Sequence, residues 1–247
     1  MRRVILVLMV GLAGCGSDKS LFGSRDGATP SRLADTAMNA GSPAVALQAL
    51  DGIIANDPRN TDALLRQGRA HLMLGNKVAA EASFRRALAV DGGLVEAKLG
   101  LAKVLMGSNA AEAETMFRAI VESDPKNVTA LNNLGVSRDL QGKHALAQDA
   151  YRQALEVSPG LASARQNLGL SLAVSGKPEE GVEMLGQMAQ DGGNNRRARD
   201  NLAVALALTG RTAEAGRVLQ EELSPADTTK ALAGFRSLQA PAPTPLQ

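Results

Sequence analysis

The chain has 247 residues and a formal net charge of only +2, so it lacks the surplus of lysine and arginine that displaces counterions from nucleic acid. Hydrophobic residues make up 45% of the chain but aromatic residues only 2%, so its core must be built from alanine, leucine, valine and methionine. Strands favour β-branched and aromatic residues, whereas alanine and leucine favour helices. The composition therefore predicts an all-α protein and argues against a nucleic-acid partner.

The N-terminus has the composition of an export signal. A short basic start, Met1-Arg2-Arg3, precedes a largely apolar run from Val4 to Ala13, which is shorter than the roughly 20 residues that span a bilayer. The run ends in Leu12-Ala13-Gly14-Cys15, which contains the only cysteine of the chain and resembles the lipobox of bacterial lipoproteins. The resemblance implies a signal peptide over residues 1–14 and a lipid on Cys15. The alternative is a plain secretory signal with an incidental cysteine.

The residue after the cysteine indicates the membrane on which the protein is expected to lie. Gly16 stands where an aspartate commonly retains such lipoproteins at the inner membrane, so the resemblance implies the periplasmic face of the outer membrane. Residues 15–26 are rich in glycine, serine and charge, which predicts a flexible tether. We therefore expect contact with the membrane through the lipid anchor.

From residue 27 to residue 224 one pattern of small and large residues recurs six times. A glycine recurs at nearly constant spacing, at Gly41, Gly75, Gly107, Gly142, Gly176 and Gly210. Seven positions before each glycine stands a small residue: Ala34, Gly68, Gly100, Gly135, Gly169 or Ala203. A second small residue follows each glycine, and four positions after it comes a large one: Leu50, Phe84, Phe117, Tyr151, Leu185 or Leu219. Such a period indicates a repeat architecture.

This pattern resembles the tetratricopeptide repeat, a pair of helices joined by a turn that recurs about every 34 residues. The recurring glycine supplies the positive φ at the end of the first helix, the small residues let helices approach, and the large residue fills the space between pairs. The resemblance implies a right-handed superhelical solenoid of about six helix pairs. We expect the second unit to be two residues short where it joins the third. We expect the third to carry one extra residue in its inter-helix turn, at residues 107–110.

Beyond the sixth unit the sequence predicts a cap and a tail. The end of a solenoid exposes the apolar face that its inner units bury, so another element must cover it. Ser224-Pro225 has the form of a helix N-cap and a first-turn proline, and Leu232, Phe235 and Leu238 follow at helical spacing. We therefore predict a capping helix over residues 225–239 and a disordered tail over residues 240–247.

Asparagines recur on the predicted first helices. Stacked helix pairs form an extended concave surface, and in the family that the chain resembles the first helices line it. On these helices Asn133, Asn167 and Asn201 recur once per unit, at equal spacing. An amide can donate and accept at once, so such a ladder could bind the backbone of an extended peptide. The alternative is that these asparagines support local packing or solvation.

Two further sets of residues lie near this ladder. Val136, Leu170 and Val204 could form side-chain pockets beside it, or could serve ordinary packing between helices. In the earlier units Arg66 and Lys98 stand at the ladder position, which predicts a more basic surface there.

The sequence offers little basis for catalysis. His71 and His144 stand where the repeat commonly has an aromatic residue, so we expect packing rings with one edge in water. No Cys–His pair, metal-ligand cluster, phosphate-binding glycine loop or nucleophile elbow occurs in the sequence. We therefore expect a binding protein with no catalytic residues, no metal and no cofactor.

Three central segments are more specific than the general repeat. Residues 132–142, 167–176 and 201–210 each contain Asn-Leu followed by a small residue, and they resemble segments of the TadD family, the repeat lipoproteins of the tight-adherence (Flp pilus) system. The resemblance implies a scaffold for pilus assembly and secretion, with a protein partner and a pilotin-like role toward the outer-membrane secretin. The alternative is another envelope lipoprotein with the same repeats, which activates a cell-wall enzyme or assists outer-membrane protein assembly.

Overall fold

The computed structural model describes residues 29–190 and 196–239, the last four of them as backbone only. The predicted signal peptide, Cys15, the tether and the tail lie outside the described residues. Within them every regular element is an α-helix, so the all-α prediction is confirmed. The thirteen helices of the described chain are α1 Pro30–Asn39, α2 Pro43–Asn56, α3 Thr61–Met73, α4 Lys77–Val90, α5 Val95–Leu105, α6 Ala110–Ser123, α7 Val128–Asp139, α8 His144–Val157, α9 Ala162–Val174, α10 Pro178–Gln190, α11 Arg196–Leu208, α12 Thr212–Gln220 and α13 Pro225–Gln239.

The helices form six sequential pairs, from α1–α2 to α11–α12, followed by α13. At three of the five junctions between pairs the first helices contact one another (α3 with α5, α7 with α9, α9 with α11), whereas second helices in the described chain make no comparable contact. The first helices therefore form the more closely spaced layer, which places them on the inner side of a curved stack. Helix α13 packs on α11 and α12, where the first helix of a seventh pair would lie.

A glycine in the left-handed region closes five of the inter-helix turns in the described chain. The five φ angles lie between 68° and 90°, at Gly41, Gly75, Gly142, Gly176 and Gly210. In the fourth pair, the N–H of Lys143 just after the glycine donates to the carbonyl of Arg138 at 2.9 Å. A side chain at these positions would strain the backbone, so the predicted role of the five glycines is confirmed.

Within a pair, a large side chain packs against a small residue of the first helix. A Cβ added to Gly135 would lie 2.3 Å from the Tyr151 ring, and one added to Gly68 would lie 2.6 Å from the Phe84 ring. All six large residues are buried: Leu50, Phe84, Phe117, Tyr151, Leu185 and Leu219. The burial of the large residues is therefore confirmed, but Phe84 and Tyr151 also pack within their own pairs, whereas the sequence predicts that the large residues fill the space between pairs.

The third pair departs from the predicted register. Helices α3 and α5 begin at Thr61 and Val95, which are 34 positions apart, so no residue is missing between the second and third pairs. Helix α6 begins at Ala110, 15 positions after the start of α5, whereas α4 begins 16 positions after the start of α3. Gly107, in the turn of this pair, does not have a positive φ. Between the starts of its two helices the third pair is therefore one residue shorter than the second. The reason is that α5 has 11 residues against 13 in α3, whereas the turn of the third pair, residues 106–109, has four residues against three in residues 74–76. The expected extra turn residue is present, and the expected two-residue deficit before this pair is wrong.

This register changes which small residue serves the third pair. The eighth residue of α3 is Gly68, and the eighth residue of α5 is Ala102, which is also buried. Gly100 is the sixth residue of α5, and a Cβ there would lie 2.5 Å from the Phe84 ring of the preceding pair. Gly100 therefore packs between pairs, whereas Gly68 packs within its own pair.

Glu114 of α6 joins the third and fourth pairs through a charged cluster. Its Oε1 accepts a hydrogen bond from Arg138 Nε at 3.1 Å, and its Oε2 accepts from Lys143 Nζ at 2.8 Å and from Gln141 Nε2 at 2.9 Å. Burial raises the pKa of Glu114, but hydrogen bonds from Lys143, Arg138 and Gln141 outweigh it and lower the pKa from 4.5 to about 2. The carboxylate therefore stays charged well into the acid range.

We expect Glu114→Gln to lower the free energy of unfolding at neutral pH by about 1–3 kcal/mol, because an amide oxygen accepts less strongly from cationic donors. Since the folded pKa lies below the unfolded one, the stabilisation is present above a pH of 4.5 and is lost as the pH falls toward about 2. Urea unfolding followed by circular dichroism, at neutral pH and at about pH 3, should show the deficit of the variant shrink in acid.

The matched control for this prediction is Glu122→Gln. Glu122 lies on the same helix in an exposed ion pair, 3.7 Å from Arg118. Its replacement should change stability by less than about 0.5 kcal/mol. A deficit of equal size at both pH values in Glu114→Gln would contradict the role given to this carboxylate.

Candidate functional site

The inner face of the last three pairs carries the asparagines that the sequence predicts as peptide ligands. Asn133, Asn167 and Asn201 are the sixth residues of α7, α9 and α11, and each is half-buried. Because α9 contacts both α7 and α11, residues at the same position of these helices follow one another across the face. We call these three residues the amide row.

The three amides differ in their hydrogen bonds. Asn167 Nδ2 donates to Asn132 Oδ1 of the preceding first helix at 3.0 Å. The side chains of Asn133 and Asn201 make no hydrogen bond to another described residue. An amide has two donor hydrogens and an acceptor oxygen, so Asn167 retains part of its capacity and the other two retain all of it. The packing alternative therefore holds in part for Asn167, and the peptide-binding role of the row stays a prediction.

Apolar side chains flank the amide row in two sets. The first set lies three positions after the asparagines and the second set lies seven positions after them. The first set is Val136, Leu170 and Val204, and the second is Leu140, Val174 and Leu208. Leu140 is 60% exposed and Val174 44% exposed, while Val136 also packs on the core beside Leu172. The second set is absent from the sequence-based candidates, although the same once-per-unit recurrence could have found it.

The expected basic surface in the earlier pairs is not formed as predicted. Arg66 forms ion pairs with Asp35 at 3.3 Å and Asp62 at 3.2 Å, so its charge is already compensated. Lys98 is the fourth residue of α5, not the sixth, because of the register of the third pair. Gly100 therefore stands at the ladder position in that pair, and the assignment of Lys98 to it is wrong.

Asp139 at the end of α7 ties the fourth and fifth pairs together beside the amide row. Its carboxylate accepts from the Tyr151 hydroxyl at 2.9 Å and from the Ser171 hydroxyl at 2.8 Å, and it lies 2.9 Å from His144 Nδ1. Burial, with the negative charge of Asp139, raises the pKa of Tyr151. This cluster fixes the helix end that carries Leu140, so it positions the exposed apolar set.

The Asp139 cluster does not form a nucleophilic site. The Ser171 side chain is buried, and its hydroxyl donates to Asp139 instead of to the histidine. A nucleophilic serine needs a general base within hydrogen-bond reach and access to substrate. Sequence reasoning missed the cluster because it joins Asp139 to a residue 32 positions away.

In residues 29–190 and 196–239 no group of three or more His, Cys, Asp or Glu side chains is arranged to hold a metal ion. No helix in the same ranges is both long enough and apolar enough to cross a bilayer.

The repeated helix pairs match a known family over most of the chain. A family model for the tetratricopeptide repeat matches residues 31–93, 98–162 and 167–229. Among curated protein sequences, none matches the chain significantly.

Three solved structures illustrate the likeness of fold. PilW, a widely conserved type IV pilus biogenesis factor, has a TM-score of 0.69 and 20% identity, over 84% of this chain and 96% of its own. A tetratricopeptide-repeat protein from Parabacteroides merdae has a TM-score of 0.69 and 15% identity, over 85% of both chains. A thermophilic repeat protein from Thermus thermophilus has a TM-score of 0.61 and 22% identity, over 72% of this chain and 99% of its own. At these identities the likeness shows the fold alone.

Proposed function

The chain belongs to the tetratricopeptide-repeat family, and from this premise we propose that it is a scaffold whose inner face holds an extended segment of a partner protein. The observation that carries the proposal is the recurrence of one amide and two apolar residues on, or directly after, three neighbouring first helices, α7, α9 and α11. Repeat proteins use such extended concave surfaces for binding.

The chemistry of the inner face suits an extended peptide. Its backbone offers a donor and an acceptor at each residue, which can be matched by the amides of Asn133 and Asn201, both without a partner in the described chain. Successive side chains of an extended strand point to opposite sides, so one side can contact the exposed Leu140 and Val174. Hydrogen bonds to the backbone would give affinity, and the apolar set would give preference for large apolar side chains.

The proposed location is the periplasmic face of the outer membrane. It rests on the lipobox-like segment that ends in Cys15 and on Gly16 after it. A cysteine with two or more acyl chains stays on a membrane, whereas a single chain binds reversibly. The anchor would place the scaffold where its partner is assembled.

The proposed process is assembly of tight-adherence (Flp) pili, with the outer-membrane secretin as the partner and a pilotin-like role for the scaffold. The resemblance of residues 132–142, 167–176 and 201–210 to TadD lipoproteins supports it. The fold shared with PilW, a pilus biogenesis factor, is compatible with it. Enzymatic activity is not part of the proposal.

We expect the triple variant with Asn133, Asn167 and Asn201 replaced by alanine to recover at least about tenfold less partner, because each lost hydrogen bond contributes about 0.5–1.5 kcal/mol. The measurement is a crosslinking pull-down from membranes with the full chain, scored for the secretin by mass spectrometry. Helicity should be unchanged, since the row makes only one side-chain hydrogen bond within the described residues.

The control is Asn56→Ala. Within the described residues the side chain of this exposed asparagine at the end of α2 bonds only the carbonyl of Gly52 in its own helix, so its replacement should leave recovery unchanged. Equal recovery by wild type and triple variant would remove the amide row from the binding site. Recovery of a cell-wall enzyme or an outer-membrane assembly factor in place of the secretin would overturn the pilus assignment.

A further inference from the structure

A pocket lies at the junction of the second and third pairs, away from the amide row. Its volume is about 370 Å³, within the range of small-ligand sites. It is formed by the end of α4, the start of α5 and one side of α6. The lining residues are Leu88, Gly92, Val95, Lys98, Thr115, Met116, Ala119, Ile120 and Ser123.

The pocket exists because of the residue at the fourth position of α5. In α3 and α7 that position is Leu64 and Leu131, which are 0% and 1% exposed and fill the space between their helices. In α5 it is Lys98, which is only half-buried. An ammonium group must keep polar contact, so it cannot fill an apolar gap as a leucine does. The space between α5 and α6 therefore stays open.

The charge of Lys98 is uncompensated, unlike that of its counterpart in the sixth pair. There the fourth residue of α11 is Arg199, which is paired with Glu222. Glu222 lies ten positions after the start of α12, and the residue ten positions after the start of α6 is Ile120, a wall of the pocket. Within the described residues Lys98 forms no ion pair with a carboxylate. On its own two helices Glu96, Glu114 and Glu122 pair with arginines, and Glu112 bonds to Asn109 at the start of α6. The third pair thus keeps the cation and replaces its partner with an apolar side chain.

We propose that this pocket binds a small amphiphilic carboxylate, with the apolar tail between α4 and α6 and the carboxylate on Lys98. The walls supplied by Leu88, Met116 and Ile120 match an unbranched hydrocarbon. The lysine supplies the only charged group of the lining, so the ligand must carry a negative head. The site is independent of the amide row and does not rest on the protein partner.

Octanoate is the probe for this site, titrated into the full chain and followed by calorimetry and by NMR of the methyl groups of the pocket. We expect Lys98→Gln to weaken octanoate binding at least about tenfold, which corresponds to about 1.4 kcal/mol. Ala119→Leu, at an exposed lining position, should fill the pocket and weaken binding to a similar extent without disturbing the core.

Matched controls lie on the same two helices. Lys103→Gln removes the same charge from an exposed site on α5, and Ala111→Leu enlarges an exposed alanine on α6; neither residue lines the pocket, and both variants should bind octanoate as wild type does. Octanol should bind more weakly than octanoate to wild type and equally to wild type and Lys98→Gln.

Three outcomes would overturn the proposal. They are equal affinity for octanol and octanoate, unchanged octanoate binding in Lys98→Gln, and tighter binding of a leucine-terminated tripeptide than of octanoate, which would assign the pocket to protein C-termini. The triple asparagine variant should bind octanoate normally, so failure here and failure of the peptide-binding role are distinguishable.

Discussion

Replacing Gly135 with alanine is expected to lower the free energy of unfolding by about 1–3 kcal/mol, although the substitution adds a single methyl group. The new Cβ would lie 2.3 Å from the ring of Tyr151, far inside van der Waals contact. Tyr151 cannot retreat, because it is 1% exposed and its hydroxyl donates to Asp139 at 2.9 Å. The clash must therefore separate α7 from α8 or break the Asp139 cluster.

The control for Gly135→Ala is the same substitution at Gly52. Gly52 is exposed in the interior of α2, and a Cβ there would meet no atom within 4 Å. Gly52→Ala should stabilise the protein by about 0.5–1 kcal/mol, because glycine loses more backbone freedom in a helix than alanine. Thermal unfolding should thus give shifts of opposite sign for the two variants.

Hydrogen exchange adds a local measurement for Gly135→Ala. Repeats contact only their neighbours, so loosening should concentrate in α7, α8 and the helices next to them. An unchanged or raised melting temperature would contradict the close approach of Gly135 to Tyr151. Faster exchange confined to α1 and α2 would contradict the location of the damage.

The sequence predicts the helix pairs well because each one repeats the same fit between a small and a large side chain. Gly68 and Phe84 are separated by the same number of positions as Gly135 and Tyr151, so a recurring spacing reports a recurring contact. The turn glycines indicate the inter-helix turns equally directly, since a positive φ favours glycine. These contacts and turns lie within one helix pair, so they recur at a fixed spacing that can be recognised in the sequence.

The third pair shows where such a pattern becomes ambiguous. Gly100 and Ala102 are both small, and either can be aligned with Gly68 when only residue size is compared. The start of α5 at Val95 decides for Ala102, because it makes Ala102 the eighth residue of α5, as Gly68 is of α3. Aligning Gly100 with Gly68 also misplaces Lys98, so sequence reasoning does not find the pocket beside this lysine.

The candidate site is predicted less completely than the fold, because its details depend on contacts between pairs. The recurrence of Asn133, Asn167 and Asn201 locates the amide row on the inner face. It does not reveal that Asn167 donates to Asn132, since Asn132 has no counterpart asparagine in the neighbouring units. Periodicity identifies positions that repeat, whereas a bond between unlike positions requires coordinates.

Replacing Cys15 with serine is expected to move the protein from the membrane fraction to the soluble fraction while leaving the helix pairs folded. The proposed anchor requires the thiol, because diacylglycerol is attached through sulfur and a hydroxyl does not substitute for it in the lipobox that Leu12-Ala13-Gly14-Cys15 resembles. Each buried methylene contributes about 0.8 kcal/mol, so loss of two or more acyl chains removes far more binding than a protein contact could restore. Fractionation of cells, with detergent and carbonate extraction, measures the change.

A second variant distinguishes the effect of the lipid on membrane binding from the effect of a cysteine thiol alone. Cys15→Ser combined with Ser17→Cys keeps one cysteine two positions further on, outside the lipobox-like quartet, and should remain soluble. Circular dichroism of both variants should match the wild type, because Cys15 lies outside the described helices. Membrane retention of Cys15→Ser, with residues 1–14 shown by mass spectrometry to be removed, would mean that a protein contact, and not an acyl chain, holds the scaffold in place. The inner face would then be the first surface to test for that contact, by combining Cys15→Ser with the triple asparagine variant.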